Sequence, residues 1–148
     1  VLPSLINKFH NAKKKGIPSV TCWGTGSPRR ELLYVEDLAE AVIFVLENIS
    51  SDNESLFDKY SNYLGILNVG IGTDIPINKL ADLVAAEFDY KGEIVWDSTK
   101  PDGTPRKLLD TKKLTNLGWQ ASTDFQIGIK KTIEDYTEKL RNNSLRQK

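Results

Sequence analysis

The residue types between Trp23 and Arg30 suit a ligand that combines a ring with phosphate groups. The stretch holds the flat ring of Trp23, the flexible backbone of Gly24 and Gly26, and the neighbouring cations Arg29 and Arg30. A guanidinium can bind phosphate oxygens through two parallel hydrogen bonds, which the ammonium of a lysine cannot do. Arginines are mostly exposed in folded proteins, so an exposed hairpin with two solvated arginines accounts for the same pattern equally well.

A second group of charged side chains lies in the stretch KPDGTPRKLLD at 100–110. Its prolines and its glycine predict a stiff, turned loop. Within eight positions the loop carries the carboxylate of Asp102 and the cations Lys100, Arg106 and Lys107. Both stretches therefore contain groups that bind ligands.

No motif for a reaction accompanies these binding groups. Gly24-Thr25-Gly26 and Gly70-Ile71-Gly72 begin like a dinucleotide fingerprint, but both lack its third glycine and are better explained as tight turns. The single histidine, His10, lies near the apolar stripe of a predicted helix, where a boundary position is expected, and no metal-ligand cluster or Ser-His-Asp set can be assembled around it. Cys22 is predicted to be a small buried strand residue rather than a nucleophile.

Predicted helices and strands alternate along the chain, which indicates an α/β or α+β arrangement. The periodicity of apolar residues predicts helices over 3–14, 37–48, 78–88, 111–117 and from 124 onward, and strands over 20–23, 32–35, 66–69, 75–77 and 94–96. Gly16 is expected to end the first helix, and the expected N-caps of later helices are Asp37, Asn78, and Thr123 or Asp124. The polar segment 50–62 is predicted to be a loop anchored by Leu56, Phe57 and Tyr60.

The predicted helix 37–48 is apolar on nearly all sides. Ile43 and Phe44 lie off its main apolar stripe. A helix of this kind is usually covered on more than one side. We therefore expect a covering layer that residues 1–148 do not supply.

Composition excludes several classes of protein. The 148 residues carry no net charge, so no overall field attracts nucleic acid or a membrane surface. No apolar run approaches the roughly 20 residues that span a bilayer. The lone Cys22 cannot form an internal disulfide, which favours a reducing compartment. Methionine is absent, so we expect the sequence to begin inside a longer protein.

The motifs resemble those of a known family, the extended short-chain dehydrogenases/reductases. The resemblance to their C-terminal part is carried by RELLYVEDLAEAV at 30–42, LNVGIGTDIPINKLA at 67–81, KPDGTPRKLLDTKKLTNLGW at 100–119 and the helix that follows. The opening 1–32, VLPSLINKFHNAKKKGIPSVTCWGTGSPRREL, is similar to the GDP-L-fucose synthases within that family. The resemblance covers nearly the whole chain, and its gaps are confined to the region around 50–63. The pairing of CWGTGSPRRE with KPDGTPRKLLD is its most specific feature, since the other motifs also occur in UDP-sugar epimerases.

The resemblance implies an α/β fold of mixed short strands and helices. Residues 1–148 would form the substrate-binding part of the enzyme, with most of the NADP-binding Rossmann core outside them, and helix 37–48 and strand 66–69 would pack on that core. The implied enzyme is a cytoplasmic homodimer that uses NADPH. It epimerises carbons 3 and 5 of GDP-4-keto-6-deoxy-D-mannose and reduces carbon 4, giving GDP-L-fucose. The family's catalytic residues precede position 1, so the chain by itself is expected to be inactive.

The resemblance also assigns binding of the GDP-sugar to five positions, namely Lys8, Trp23, Arg30, Asp102 and Lys107. Lys8 stands where the family has an arginine, so it keeps the charge and loses the bidentate fork. Cations suit the diphosphate, an aromatic face suits a ring or a cation, and a carboxylate can accept hydrogen bonds from guanine or sugar donors. No residue of this chain is assigned to the cofactor or to a metal.

Two other interpretations stay open. The chain could be the substrate lobe of another nucleotide-sugar epimerase or reductase, or a reductase-like subunit that only binds or regulates. A preference for GDP over UDP separates the first alternative from a GDP-L-fucose synthase. If a Tyr-x-x-x-Lys pair is absent upstream of Val1, the parent protein is not a reductase and the second alternative is favoured.

Overall fold

The computed structural model describes residues 1–142 and 144, and these form two compact units. Unit 1 contains Val1–Arg30, Ile75–Arg106 and the chain from Asp124 onward, whereas unit 2 contains Glu31–Asp74 and Lys107–Thr123. The helices are α1 (Leu2–Lys15), α2 (Val35–Asn48), α3 (Ile77–Glu87), α4 (Lys112–Asn116) and α5 (Phe125–Arg141). The strands are β1 (Ser19–Trp23), β2 (Arg29–Arg30), β3 (Ile75–Pro76), β4 (Glu93–Asp97) and β5 (Arg106–Lys107). This mixture of helices and short strands confirms the predicted α/β class.

The core of unit 1 lies between a two-stranded parallel sheet and helices. Strand β1 pairs with β4 in a register that aligns Val20 with Ile94 and Trp23 with Asp97. Helix α1 ends at Gly16, as predicted, because this glycine adopts the left-handed conformation with φ 64°. Three helices supply most of the core residues: Leu5, Ile6, Phe9 and Ala12 of α1; Leu80, Ala81, Val84 and Ala85 of α3; and Ile129 and Ile133 of α5. Val20 and Cys22 of β1 and Tyr90 are also buried.

The core of unit 2 is small. It consists of the buried residues Ala41, Leu114 and Trp119, against which Leu33, Phe44, Val45, Leu67, Val69 and Ala121 pack. Helix α2 contributes only two buried residues, Asp37 and Ala41. A core of this size leaves much of α2 without cover.

The remaining apolar surface of α2 is exposed to solvent in this structure. Exposed side chains are Val35, Leu38, Val42, Ile43 and Leu46, and Leu46 retains 78% of its accessible surface. Burial also alternates along 66–69, where Leu67 and Val69 are half-buried while Ile66 and Asn68 are exposed. Such alternation is typical of a strand, yet this segment belongs to neither of the sheets that the described residues form.

Several predicted boundaries and caps are wrong. Residues 32–34 have no regular structure and Val35 already begins α2, because Leu33 packs into the core of unit 2 and draws the chain away from strand pairing. The prediction of a strand at 66–69 fails because no strand among the described residues pairs with it. Tyr60 is 72% exposed, so the prediction that it anchors the 50–62 loop is wrong, whereas Leu56 is buried as predicted.

The predicted N-caps were correct only for the last helix. Tyr34 and Pro76 occupy the cap positions of α2 and α3, and Asp37 and Asn78 lie inside the first turns instead. The carboxylate of Asp37 accepts hydrogen bonds from Ser122 and from Thr123, whose hydroxyl lies 2.9 Å away. At α5 the cap is Asp124, whose side chain accepts from the backbone of Gln126 and Ile127.

No helix within 1–142 and 144 is long and apolar enough to cross a bilayer.

We expect acid to weaken unit 1 through His10. Its ring packs edge-on against Phe88 and Tyr136, with centroids 5.8 and 5.6 Å away, and burial, with repulsion from Lys14, lowers its pKa below 6.5. As the pH falls from 6.5 towards the lower native pKa, the unfolded chain binds a proton that the native protein does not, so the free energy of unfolding decreases. His10→Phe should therefore lose less stability than the wild type between pH 7.5 and 5 in urea unfolding. An identical loss in both proteins would contradict the expectation.

Candidate functional site

A pair of hydrogen bonds joins the two stretches that sequence analysis singled out. In unit 1 the carboxylate of Asp102 accepts from the backbone N–H of Thr25 at 2.9 Å and from its hydroxyl at 2.6 Å. The side-chain bond and then the backbone bond lower the pKa of Asp102 below its usual 3.8. We call this arrangement the Thr25–Asp102 clasp. It closes a loop of more than seventy residues and fixes the turn that follows Trp23.

The glycines around Thr25 are required by this close approach. Gly24 adopts φ 80° and Gly26 φ 74°, a region that favours glycine. A Cβ on Gly24 would collide with the carboxylate of Asp102, and one on Gly26 would lie 2.7 Å from the ring of Trp96. The prediction of a tight turn is therefore confirmed, and the N–H of Thr25 points to a carboxylate rather than to an open phosphate site.

The guanidinium of Arg30 is held against the same 102–104 loop. Its Nη1 donates to the carbonyl oxygens of Thr104 and Arg29, both at 2.7 Å. On the backbone of β2, the N–H of Arg29 donates to the carbonyl of Pro105 at 2.8 Å. The structure thus orients the guanidinium plane before any ligand arrives.

The ring of Trp23 lies at the end of β1 and is 71% exposed. An aromatic ring left open at the end of a strand is available for stacking. The ammonium of Lys100 lies 6.0 Å from the ring centroid, at the outer limit of a cation–π contact. The ammonium of Lys8 donates to the carbonyl of Thr21, another residue of β1, at 2.6 Å. Lys8, Trp23, Arg30 and Asp102 therefore all belong to unit 1.

Lys107, the fifth predicted residue, belongs to unit 2. Its side chain is exposed, and its carbonyl accepts from the backbone N–H of Glu31 at 3.2 Å. Near it lies an open depression of about 370 Å³ that is lined by Gly72 and by residues 108–112.

Sequence analysis missed two residues that organise the site. Thr25 and Glu31 carry no signal of their own, because polar residues beside a turn usually face solvent. Each nevertheless forms hydrogen bonds to a partner more than forty positions away. The N–H of Thr25 donates to Asp102, and the carboxylate of Glu31 accepts from the N–H groups of Gly72 and Leu109. In each glycine turn, one backbone N–H therefore donates to a carboxylate: that of Thr25 to Asp102 and that of Gly72 to Glu31. These N–H groups are not available to the pyrophosphate of a dinucleotide.

Cys22 is buried, as predicted for a strand residue. Burial raises the pKa of its thiol, which keeps it protonated and unreactive near neutral pH.

Comparison with known proteins supports the resemblance deduced from the motifs. Residues 1–64 match the NAD dependent epimerase/dehydratase family. The chain is 44% identical over 140 residues to the putative GDP-L-fucose synthase 2 of Arabidopsis thaliana, in an alignment that covers 95% of this chain and 39% of that protein. The chain therefore spans about two fifths of the length of this curated relative.

Solved structures of related reductases contain the same fold. A GDP-6-OMe-4-keto-L-xylo-heptose reductase from C. jejuni superimposes with a TM-score of 0.82 at 29% identity, covering 93% of this chain and 47% of that one. The GDP-mannoheptose C4 reductase from Campylobacter jejuni, with NADP bound, gives a TM-score of 0.75 at 33% identity, with 92% and 44% covered. The predicted similarity to GDP-L-fucose synthases and to the extended reductase fold is confirmed.

Proposed function

We propose that this chain, whose similarity to a GDP-L-fucose synthase extends over 95% of its length, binds the GDP-sugar in an enzyme of that kind. The intact enzyme would epimerise carbons 3 and 5 of GDP-4-keto-6-deoxy-D-mannose and reduce carbon 4. The observation that carries this proposal is the set in unit 1, in which the Thr25–Asp102 clasp fixes the turn after an exposed Trp23 and Thr104 orients the guanidinium of Arg30.

Each residue of the set has a distinct task in the proposal. The oriented guanidinium of Arg30 binds the diphosphate, because a charge-assisted fork is the strongest phosphate contact a side chain makes. Trp23 offers its face to a ring of the ligand. Lys8 adds positive charge for the phosphates, and outside this set the resemblance assigns the same role to Lys107. Asp102, whose two oxygens already accept from Thr25, acts chiefly by fixing the turn after Trp23.

The cofactor would be held outside the described residues. NADPH supplies the hydride that reduces carbon 4, and the part of the intact protein that resembles a Rossmann core would bind it. Following the resemblance, we place the intact enzyme in the cytoplasm as a homodimer. A single buried thiol, Cys22, agrees with a reducing compartment.

Titration calorimetry of the intact protein with GDP and with UDP tests the proposal. A site shaped for guanine should bind GDP about tenfold or more tightly, because buried groups that pair with one base are left unpaired by another. A preference for UDP would overturn the assignment.

A second candidate is a GDP-heptose reductase, which the similarity to the Campylobacter reductases favours. Both candidates would bind GDP, so the sugar separates them. Steady-state kinetics of the intact protein with the 6-deoxy-hexose and the heptose substrates would show which one it reduces with the higher kcat/KM. A non-catalytic binding subunit would reduce neither.

We also propose that α2 and the segment 66–69 pack against the NADP-binding part of the intact protein. The exposed apolar side chains of α2 and the unpaired alternating segment support this arrangement. A segment with strand-like burial needs a neighbouring strand for its backbone groups. The cover would come from the portion of the intact protein that corresponds to the unmatched three fifths of the Arabidopsis relative.

The 148-residue chain by itself should show no turnover. Proton transfer and hydride transfer both need groups within reach of the sugar, and the described residues offer no candidate for either. Mixing the purified chain with NADPH and GDP-4-keto-6-deoxy-D-mannose should leave the absorbance at the nicotinamide band unchanged. Any oxidation above the rate of a protein-free control contradicts this expectation.

A further inference from the structure

The carboxylate of Glu31 joins two separate segments of unit 2. One oxygen accepts from the backbone N–H of Gly72 at 2.7 Å and the other from the N–H of Leu109 at 2.9 Å. The backbone N–H of the same residue donates to the carbonyl of Lys107 at 3.2 Å. One glutamate thus holds the chain on both sides of Leu108.

The neighbouring glycines are needed for this contact. A Cβ on Gly70 would lie 2.7 Å from the carboxyl carbon of Glu31 and closer still to one of its oxygens. Gly70 is buried and has no positive φ, so space and not backbone conformation demands a glycine there. Gly72 has φ 72°, which presents its N–H to the carboxylate.

Glu31 also fixes the depression near Lys107. Gly72 and Leu109 both line that depression, and each donates to the same carboxylate. Breaking these bonds would loosen the walls of the depression and the segment that follows Lys107, whose own carbonyl would keep its bond to the N–H of Glu31.

We infer that Glu31 is a positioning residue for Lys107 and thereby sets how strongly Lys107 contributes to the binding of a nucleoside diphosphate. The inference rests on the proposed function, in which Lys107 binds the GDP-sugar. A lysine on a restrained backbone loses less conformational freedom when it binds, so its contact contributes more affinity than the same contact from a mobile strand. Glu31→Gln removes the charge and turns a donor towards one of the two N–H groups, while the side chain keeps its length.

A double-mutant cycle on the intact protein tests the inference, with GDP as the probe and titration calorimetry as the measurement. Lys107→Ala and Glu31→Gln should each weaken GDP binding about fivefold to tenfold. In the Lys107→Ala background, Glu31→Gln should weaken GDP binding by less than a further factor of about two, because residues that act through one contact are coupled. Gly70→Ala displaces the carboxylate without removing its charge and should reproduce the effect of Glu31→Gln. Glu134→Gln, an exposed carboxylate on α5, is the matched control and should leave the affinity unchanged.

The outcomes separate the inference from the function on which it rests. If Lys107→Ala leaves GDP affinity unchanged, the assignment of Lys107 fails, and the positioning role fails with it. If Lys107→Ala weakens binding and Glu31→Gln weakens it equally in both backgrounds, Lys107 stays in the site and Glu31 has only a structural role. Thermal unfolding of each variant confirms that the titrations use folded protein. If Glu31→Gln does not fold, Gly70→Ala takes its place in the cycle.

Discussion

Replacing Arg30 with alanine in the intact protein should raise the KM for the GDP-sugar about 10- to 100-fold while kcat changes little, because a charge-assisted contact is worth roughly 1.5–3 kcal/mol. The diphosphate is remote from the carbons that react, so its contacts are equally strong in the ground state and in the transition state. Loss of such uniform binding appears in KM rather than in kcat. The guanidinium is already oriented by the carbonyls of Thr104 and Arg29. Its side chain therefore loses little conformational entropy when the diphosphate binds.

Two variants control this experiment. Arg30→Lys keeps the charge and can still reach the Thr104 carbonyl, but it loses the fork, so its KM should lie between those of the wild type and of Arg30→Ala. Arg141→Ala removes an arginine from the end of α5 and should leave both kinetic constants unchanged. A fall confined to kcat in Arg30→Ala would mean that the contact strengthens only in the transition state, and the diphosphate role would then be wrong.

Introducing a charge at Ile43 should destabilise the intact protein by about 3 kcal/mol or more, because burying an unpaired carboxylate is costly. Ile43 retains 54% of its surface here and lies on the exposed apolar face of α2. If the NADP-binding part covers that face, Ile43→Glu places a carboxylate in the interface. Urea unfolding of the intact variant measures the loss.

The matched control is Ile127→Glu on α5. Ile127 is 52% exposed, so the two isoleucines are equally accessible in this structure. No cover is proposed for α5, and a substitution on an exposed helix position should change stability by no more than about 0.5 kcal/mol. Equal effects of the two substitutions would contradict the proposed packing of α2.

Local chemistry made most of the secondary structure predictable. Gly16 ends α1 because only a residue without a Cβ adopts a left-handed cap at no cost, and Asp124 caps α5 because its short carboxylate reaches the free N–H groups of the first turn. Failures came where tertiary contacts outweighed a local preference. Asp37 has the chemistry of a cap, yet its carboxylate bonds to Ser122 and Thr123 instead.

The proposed binding residues came from a different source. Residue types alone left Arg30 undecided between a phosphate ligand and a solvated side chain. The motifs at 22–31 and 100–110 favoured the phosphate role only through resemblance, and comparison with relatives confirmed the resemblance without testing the role of any single residue. No periodicity or spacing could have shown that Asp102 accepts from Thr25, because the two positions are 77 residues apart.

The sequence by itself indicated the helices apart from some of their boundaries and caps, the strands β1 and β4, the end of α1 at Gly16, the uncovered apolar surface of α2 and the family that the chain resembles. These properties depend on the conformational preferences of single residues and on patterns within one segment. Tertiary structure alone decided that Asp102 and Glu31 would direct their carboxylates at backbone N–H groups in distant turns, and that β1 would pair with β4. Those outcomes depend on which segments meet in space, and hydrogen bonds between distant residues leave no trace in the order of residues along the chain.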